Sequence, residues 1–160
     1  MTTPVPAPQR PSRGPDAALF DAVTTEQSII WGYGMVSAHT TRNVNRLVTD
    51  SLALHRDHRE AAIALLTSRS VAPPLAAAAY QIPGVINTPD DAARAALEME
   101  QNAAVAWRAV VERADDDAER KLAVRALIES AVLGARWRRA LSITPSTVPF
   151  PGGAEDYSGD

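Results

Sequence analysis

The segment from residue 70 to 88, SVAPPLAAAAYQIPGVINT, constrains the fold of this 160-residue chain more than any other feature. Pro73, Pro74 and the pair Pro83-Gly84 prevent a continuous helix there, because proline lacks a backbone donor and clashes with the preceding turn. The segment is nonetheless apolar, so we expect it to pack against the rest of the protein. It therefore divides the chain into two halves joined by a long, non-helical connection.

Each half contains two segments whose apolar residues recur at helical spacing. We predict helix A from about Asp16 to His39, helix B from about Arg42 to Arg69, helix C from about Pro89 to Arg113 and helix D from about Asp116 to Leu141. Helix C has the clearest start, because Thr88 can cap it, Pro89 suits the first turn, and two aspartates follow at the positive end of the helix dipole.

The connections between these helices predict the topology. Helices A and B are joined by a short break, as are helices C and D, which makes two antiparallel hairpins. The residues from 70 to 88 can reach roughly 60 Å when extended, enough to cross a bundle of helices about 38 Å long. One long crossover between two hairpins is the connectivity of ferritin-like bundles. We therefore predict an all-α, ferritin-like four-helix bundle over residues 15–143, with disordered tails at 1–14 and, for the most part, at 144–160.

Composition excludes several classes of function. The chain has no cysteine, which excludes disulfides, thiol nucleophiles and cysteine-ligated zinc fingers. A formal charge of −3 and a pI near 5.6 give no overall basic signal for nucleic acid. No stretch of about 18 apolar residues is present to cross a membrane, and residues 1–15 lack the apolar core of a secretory signal. The sequence therefore predicts a cytoplasmic protein without a nucleic-acid or membrane partner.

Each predicted helix carries an acidic residue or a histidine within its apolar stripe. Helix A contributes Glu26, helix B contributes His55 and His58, helix C contributes Glu100 and helix D contributes Glu129. Each lies three or four residues from apolar neighbours, so these side chains face the core with them. Folding each hairpin about its turn brings these residues to one level, near the middle of every helix. The sequence therefore predicts a single polar layer, which we call the central layer.

Carboxylates that share a low-dielectric core cannot all be ionised without compensation, and the sequence leaves two ways to supply it. One is metal, since ferritin-like sites take Glu from two helices and Glu-x-x-His from the other two. The central-layer residues would then be ligands for iron or manganese, although His55 replaces the Glu of that motif and Val132 replaces the second His. The other is a metal-free network, in which one of Arg59, Arg125 and Arg136, one protonated histidine and one protonated Glu together balance the layer.

Several motifs also resemble those of a known family. The segment Glu26-Gln27-x-x-Ile30-Trp31-Gly32-Tyr33-Gly34 resembles the first-helix signature of actinobacterial ferritin-like proteins of the DUF4439 type. Further similar motifs follow in the same order: His55-Arg56 with Arg59-Glu60, Ala79-Tyr80-Gln81-Ile82-Pro83, Leu97-Glu98 with Trp107, and Pro149-Phe150-Pro151-Gly152. The resemblance covers residues 16–152 and implies a four-helix ferritin-like domain of uncharacterised function. It implies no catalytic residues, and it favours Glu26 and His55 as characteristic positions.

Two classes of function remain open from the sequence. The first is a non-catalytic binding or structural module that forms a homodimer, and this is the one we predict. Trp31 lies off the helix seam, where it marks either the dimer face or a site covered by the crossover. The alternative is a metal-binding, oxidoreductase-like protein that uses the central layer. The sequence does not decide whether the protein is an enzyme.

Overall fold

The computed structural model describes residues 6–153, and within this range it contains four α-helices and no β-strand. The helices are α1 (Pro15–Ser37), α2 (Asn45–Ser68), α3 (Pro89–Arg113) and α4 (Asp117–Ala140). A short 3-10 helix, Arg42–Val44, precedes α2. The predicted all-α, four-helix fold is confirmed. The disorder predicted for residues 1–5 and 154–160 lies outside the described residues.

Capping side chains explain where two of the helices begin. The Thr88 hydroxyl accepts a hydrogen bond from the Asp91 N–H at 3.1 Å, and the Asp91 carboxylate accepts one from the Thr88 N–H at 3.0 Å. This reciprocal capping box fixes the start of α3. At the start of α4, the Asp116 carboxylate accepts a hydrogen bond from the Glu119 N–H at 2.8 Å.

The helices pack as a square in which α1 and α4 each contact both α2 and α3. Contacts between side chains give their directions. Glu26 and Tyr33 of α1 bind Trp107 and Glu100 of α3 respectively, so the order along α3 is reversed and the two helices are antiparallel. Asp16 at the start of α1 binds Arg69 just after α2, so this pair is antiparallel as well. Consequently α2 and α3 run in the same direction, and residues 70–88 cross the whole bundle as predicted.

The crossover is anchored against α1. The Gln27 side-chain amide donates to the Pro74 carbonyl at 2.9 Å and accepts from the Tyr80 hydroxyl at 3.2 Å. The rings of Trp31 and Tyr80 lie 6.3 Å apart between centroids. Gly32 permits this approach, because a Cβ there would lie 2.4 Å from Met99 Sδ and 3.3 Å from Ile82 Cγ2. Trp31 is therefore covered by the crossover, one of the two roles that its position allowed.

Small side chains let the helices approach closely. The fully buried alanines are Ala22, Ala62, Ala92, Ala96, Ala103, Ala123 and Ala126.

Residues 144–153, which we call the C-terminal strap, lie along α3 and α4, and the Arg138 Nε donates to the Pro145 carbonyl at 3.1 Å. Among the described residues, none of the helices combines the length and the apolar character needed to cross a membrane.

Arg69 joins the ends of three helices. Its guanidinium donates to Asp16 at 2.9 Å, to Glu119 at 3.0 Å and also to Asp116. Glu119 is fully buried, and its Oε1 has no hydrogen-bond partner among residues 6–153. The hydrogen bond to Glu119, which outweighs the opposing effect of burial, raises the pKa of Arg69. Arg69 is therefore the counter-ion that allows an acidic residue inside this end of the bundle.

Replacing Arg69 tests that role. We expect Arg69→Ala to lower the free energy of unfolding by about 3 kcal/mol, because it leaves the buried Glu119 carboxylate without a cation. Chemical denaturation at pH 7 measures the change. Arg46→Ala is the control, since the Arg46 side chain is 94% exposed and 3.9 Å from Asp50. That variant should lose less than about 0.5 kcal/mol, and equal losses in both variants would contradict the assignment.

Candidate functional site

A continuous chain of acids and histidines crosses the centre of the bundle. His55 Nδ1 lies 2.6 Å from Glu26 Oε2, and His55 Nε2 lies 3.1 Å from both oxygens of Glu100. His58 Nε2 lies 2.6 Å from Glu129 Oε2. His58 Nδ1 lies 3.4 Å from Glu26 Oε1, which is an ion-pair contact without a hydrogen bond. The helices therefore bring all the central-layer residues together, in the order Glu100, His55, Glu26, His58 and Glu129.

The central layer is buried at one end and reaches solvent at the other. Glu26 and His55 are fully buried, and His58 and Glu100 are 2% and 1% exposed. Glu129 lies at the rim, because 26% of its side chain is exposed, and Arg125 donates to its Oε1 at 3.0 Å. Of the three arginines considered as counter-ions from the sequence, Arg125 contacts the layer. Arg59 and Arg136 lie next to acids outside it.

Three aromatic side chains complete the layer, and analysis of the sequence missed their polar role. The indole N–H of Trp107 donates to Glu26 Oε1 at 2.6 Å, and the hydroxyl of Tyr33 donates to Glu100 Oε1. The indole N–H of Trp137 donates to the Tyr33 hydroxyl at 2.8 Å. The available signal was a spacing of seven residues: Tyr33 follows Glu26, and Trp107 follows Glu100, by two helical turns. Because α1 and α3 are antiparallel, each aromatic residue lies opposite the acid of the other helix.

These donors decide the protonation of Glu26 and its histidines. The indole N–H that Trp107 donates to Glu26 Oε1 favours the ionised carboxylate, and this in turn favours a proton on the imidazole nitrogen that faces Glu26 Oε2. Burial by itself raises the pKa of Glu26, but the charge and hydrogen bond of His55, together with the close contact of His58, outweigh it and lower the pKa to about 2. Burial by itself lowers the pKa of His55, but the charges of Glu100 and Glu26 raise it well above its ordinary 6.5.

The outer pair of the layer is shifted in the same sense. Burial and the charge of His55 both lower the pKa of His58, but its contacts with Glu26 and Glu129 raise it by more. The pKa of His58 therefore lies above 6.5. Burial raises the pKa of Glu129, yet His58 and Arg125 bring it below its ordinary 4.5. These shifts favour protonated imidazoles between the ionised Glu26 and Glu129, an arrangement that can hold and pass on protons.

The same residues can be tested for their fit to a metal. Ligand atoms of Glu26, His55 and His58 lie within 4.8 Å of one another. His55, however, has a carboxylate at each ring nitrogen, which leaves neither nitrogen open to an ion. Val132, at the position where a ferritin-like helix D would carry His, is 47% exposed. The arrangement therefore does not fit a dinuclear carboxylate site, which takes four Glu and two His.

Removing the hydroxyl of Tyr33 tests the aromatic part of the layer. Tyr33→Phe leaves the Trp137 N–H without an acceptor and takes a donor from Glu100, while the ring still fills its place. We expect the free energy of unfolding to fall by about 2 kcal/mol in chemical denaturation. Tyr80→Phe is the matched control at a half-buried position and should cost about 1 kcal/mol or less. A smaller loss for Tyr33→Phe than for Tyr80→Phe would refute the proposed hydrogen-bonded role of Tyr33.

Comparisons with known proteins agree with this architecture. The sequence matches the family described as "Domain of unknown function (DUF4439)" over residues 18–155. A similar solved structure is the crystal structure of a conserved hypothetical protein, rv2844, from Mycobacterium tuberculosis. It is 48% identical, has a TM-score of 0.77, and the similarity covers 79% of this chain and 96% of that one. No curated protein matches the chain. Because the family match spans most of the sequence, the chain belongs to the DUF4439 family, as its motifs predicted.

Proposed function

We propose that this protein is a non-catalytic binding or structural module whose central layer works as a metal-free acid–base network. The supporting observation is the environment of His55, whose Nδ1 faces Glu26 while its Nε2 faces Glu100. An imidazole binds metal through a nitrogen that carries no proton. His55 would therefore have to give up one of its two carboxylates to become a ligand. In the proposed state, two imidazolium groups and Arg125 compensate the acids without any ion.

The network sets the register of the helices. Each contact along it joins two different helices, so sliding one helix by a turn would leave buried charges unpaired. Removing one partner from a buried charge pair typically costs about 3–5 kcal/mol, whereas the pair itself adds little net stability. We infer that the layer selects one arrangement of the bundle and keeps its surface in a fixed shape for a partner.

The network predicts a particular dependence of stability on pH. The pKa values of His55 and His58 are raised above 6.5, so their contribution is fully present below that pH and is lost as pH rises through the folded-state values. The pKa of Glu26 is lowered from 4.5 to about 2, so its contribution is present above 4.5 and is lost as pH falls. We expect the free energy of unfolding to be greatest between about pH 4.5 and 6.5 and to fall on both sides.

Denaturant titrations at a series of pH values measure this profile. The carboxyl groups that face the two histidines are those of Glu26, Glu100 and Glu129. His58→Gln is the informative variant, because it removes one buried titrating group next to the rim and should flatten the decline in stability above pH 6.5. At a metal site the free energy of unfolding would instead rise with pH, because the ligands must lose protons before they bind the ion. Stability that rises with pH when Fe²⁺ or Mn²⁺ is present would therefore contradict the network.

Metal content gives the direct test. We expect protein purified without chelator, and then reloaded with iron or manganese, to hold sub-stoichiometric metal that gel filtration removes. Glu100→Ala should lower the free energy of unfolding of this metal-free protein by about 3–5 kcal/mol, because it removes the buried partner of His55 Nε2 and of the Tyr33 hydroxyl. Glu98→Ala is the matched control, since Glu98 is exposed on the same helix. Stoichiometric metal, together with an apo-protein that tolerates Glu100→Ala, would overturn the proposal.

A mononuclear metal site is the second candidate. His58 Nδ1 has no hydrogen-bond partner among residues 6–153, and it lies 3.4 Å from Glu26 Oε1. Two ligands of one tetrahedral ion with bonds of about 2.0–2.1 Å would be separated by roughly this distance. Iron or manganese bound there by Glu26 and His58 would make the protein a metal handler. The homodimer expected from the sequence belongs to the first candidate, and sedimentation of the full chain tests it.

A further inference from the structure

A small cavity lies between α3, α4 and the C-terminal strap, directly beside the central layer. Glu100, Ser130 and Gly134 form one side of it, and Ser146, Val148 and Pro151 of the strap form the other. Its volume is about 20 Å³. One water molecule needs about 10–15 Å³ measured in the same way, so the cavity has room for a ligand of that size and little more.

Ser130 marks this cavity as a polar site. Its side chain is fully buried, and its Oγ has no hydrogen-bond partner among the described residues. Leaving a buried hydroxyl unsatisfied costs about 1–3 kcal/mol, so such groups are normally paired with protein or with an ordered water. The side chain of Glu100, whose carboxylate contacts His55 and Tyr33, lines the same wall. A ligand that fits both groups is small and donates hydrogen bonds.

The C-terminal strap forms one wall of the cavity and is held on both sides of it. Near its start, the Pro145 carbonyl accepts a hydrogen bond from Arg138, whose side chain is almost completely buried. Near its end, Gly152 lies against α3 with a φ of +73°, and a Cβ there would be 2.3 Å from the Ala104 carbonyl oxygen. A larger residue at 152 is therefore excluded unless the strap moves.

We propose that this cavity is a binding site for one water-sized hydrogen-bond donor, water in the resting protein, held between Ser130 Oγ and the carboxylate of Glu100. The ligand extends the hydrogen-bonded chain beyond Glu100. It gives the buried layer a second route for exchanging protons with solvent, in addition to the rim at Glu129, and the strap controls this route. The proposal stands whether or not the central layer binds a metal, so a metal found by analysis would not affect it.

Filling the cavity is the first test. A Cβ at Gly134 would lie 3.7 Å from Glu100 Cβ and 3.9 Å from Leu97 Cδ1, so Gly134→Ala is accommodated by ordinary contacts. Gly34→Ala is the matched control for helix propensity, because it adds a methyl group where no atom lies within 4 Å. Crystal structures that resolve ordered water should show it within about 3.2 Å of Ser130 Oγ in the wild type and Gly34→Ala, and not in Gly134→Ala. A dry cavity in the wild type would overturn the proposal.

Opening the strap is the second test. The indole N–H of Trp137 binds the Tyr33 hydroxyl, which in turn binds Glu100, so its hydrogen exchange reports on this end of the layer. NMR should show that Gly152→Ala accelerates this exchange about tenfold or more, with a smaller effect on Trp107. Gly84→Ala is the control, because Gly84 has a φ of +70° and no atom within 4 Å of a Cβ. Unchanged Trp137 exchange in Gly152→Ala, or equal acceleration in the control, would rule out control by the strap.

Discussion

The bundle depends on the imidazole of His55, which lies between two carboxylates from two other helices. Glu26 of α1 and Glu100 of α3 contact its two nitrogens, and all three groups are fully or almost fully buried. None of these charges could enter the core alone, because an isolated buried charge costs far more than one helix contact returns. Trp107 and Tyr33 occupy further acceptor positions on the two acids. The layer can therefore form only when three helices arrive in register.

A second polar cluster lies about three to four helical turns away, at the end of the bundle. There Arg69 holds Asp16, Asp116 and the buried Glu119, so that α1, α2 and α4 are fixed by one guanidinium. Between the two clusters the core is made largely of alanine and aliphatic residues, whose burial is non-directional and would tolerate a slip. The apolar residues thus drive the helices together, and the two polar clusters determine how they align.

The sequence predicted the architecture well because its signals are local. The Thr88 cap, the prolines of residues 70–88 and the periodic stripes each act within one or two helical turns. The acids and histidines of the layer were also visible, since a charged residue in an apolar stripe contradicts the pattern. Tyr33 and Trp107 were missed because their rings satisfy that pattern, and their polar atoms find partners only after α1 and α3 pair. The exposure of Glu129 depends on how closely α2 approaches α4, which no local signal encodes.

Formal charge distinguishes the two interpretations of the layer. A ferritin-like dinuclear site combines four carboxylates with two neutral histidines, and two divalent ions neutralise it. In this chain His55 stands where that motif has Glu, so one negative group is replaced by one that can carry a positive charge. The three remaining carboxylates are then matched by two imidazolium groups and by Arg125 at the rim. In the proposed network, two imidazolium groups and Arg125 thus balance three carboxylates, as two divalent ions balance four in the ferritin-like site.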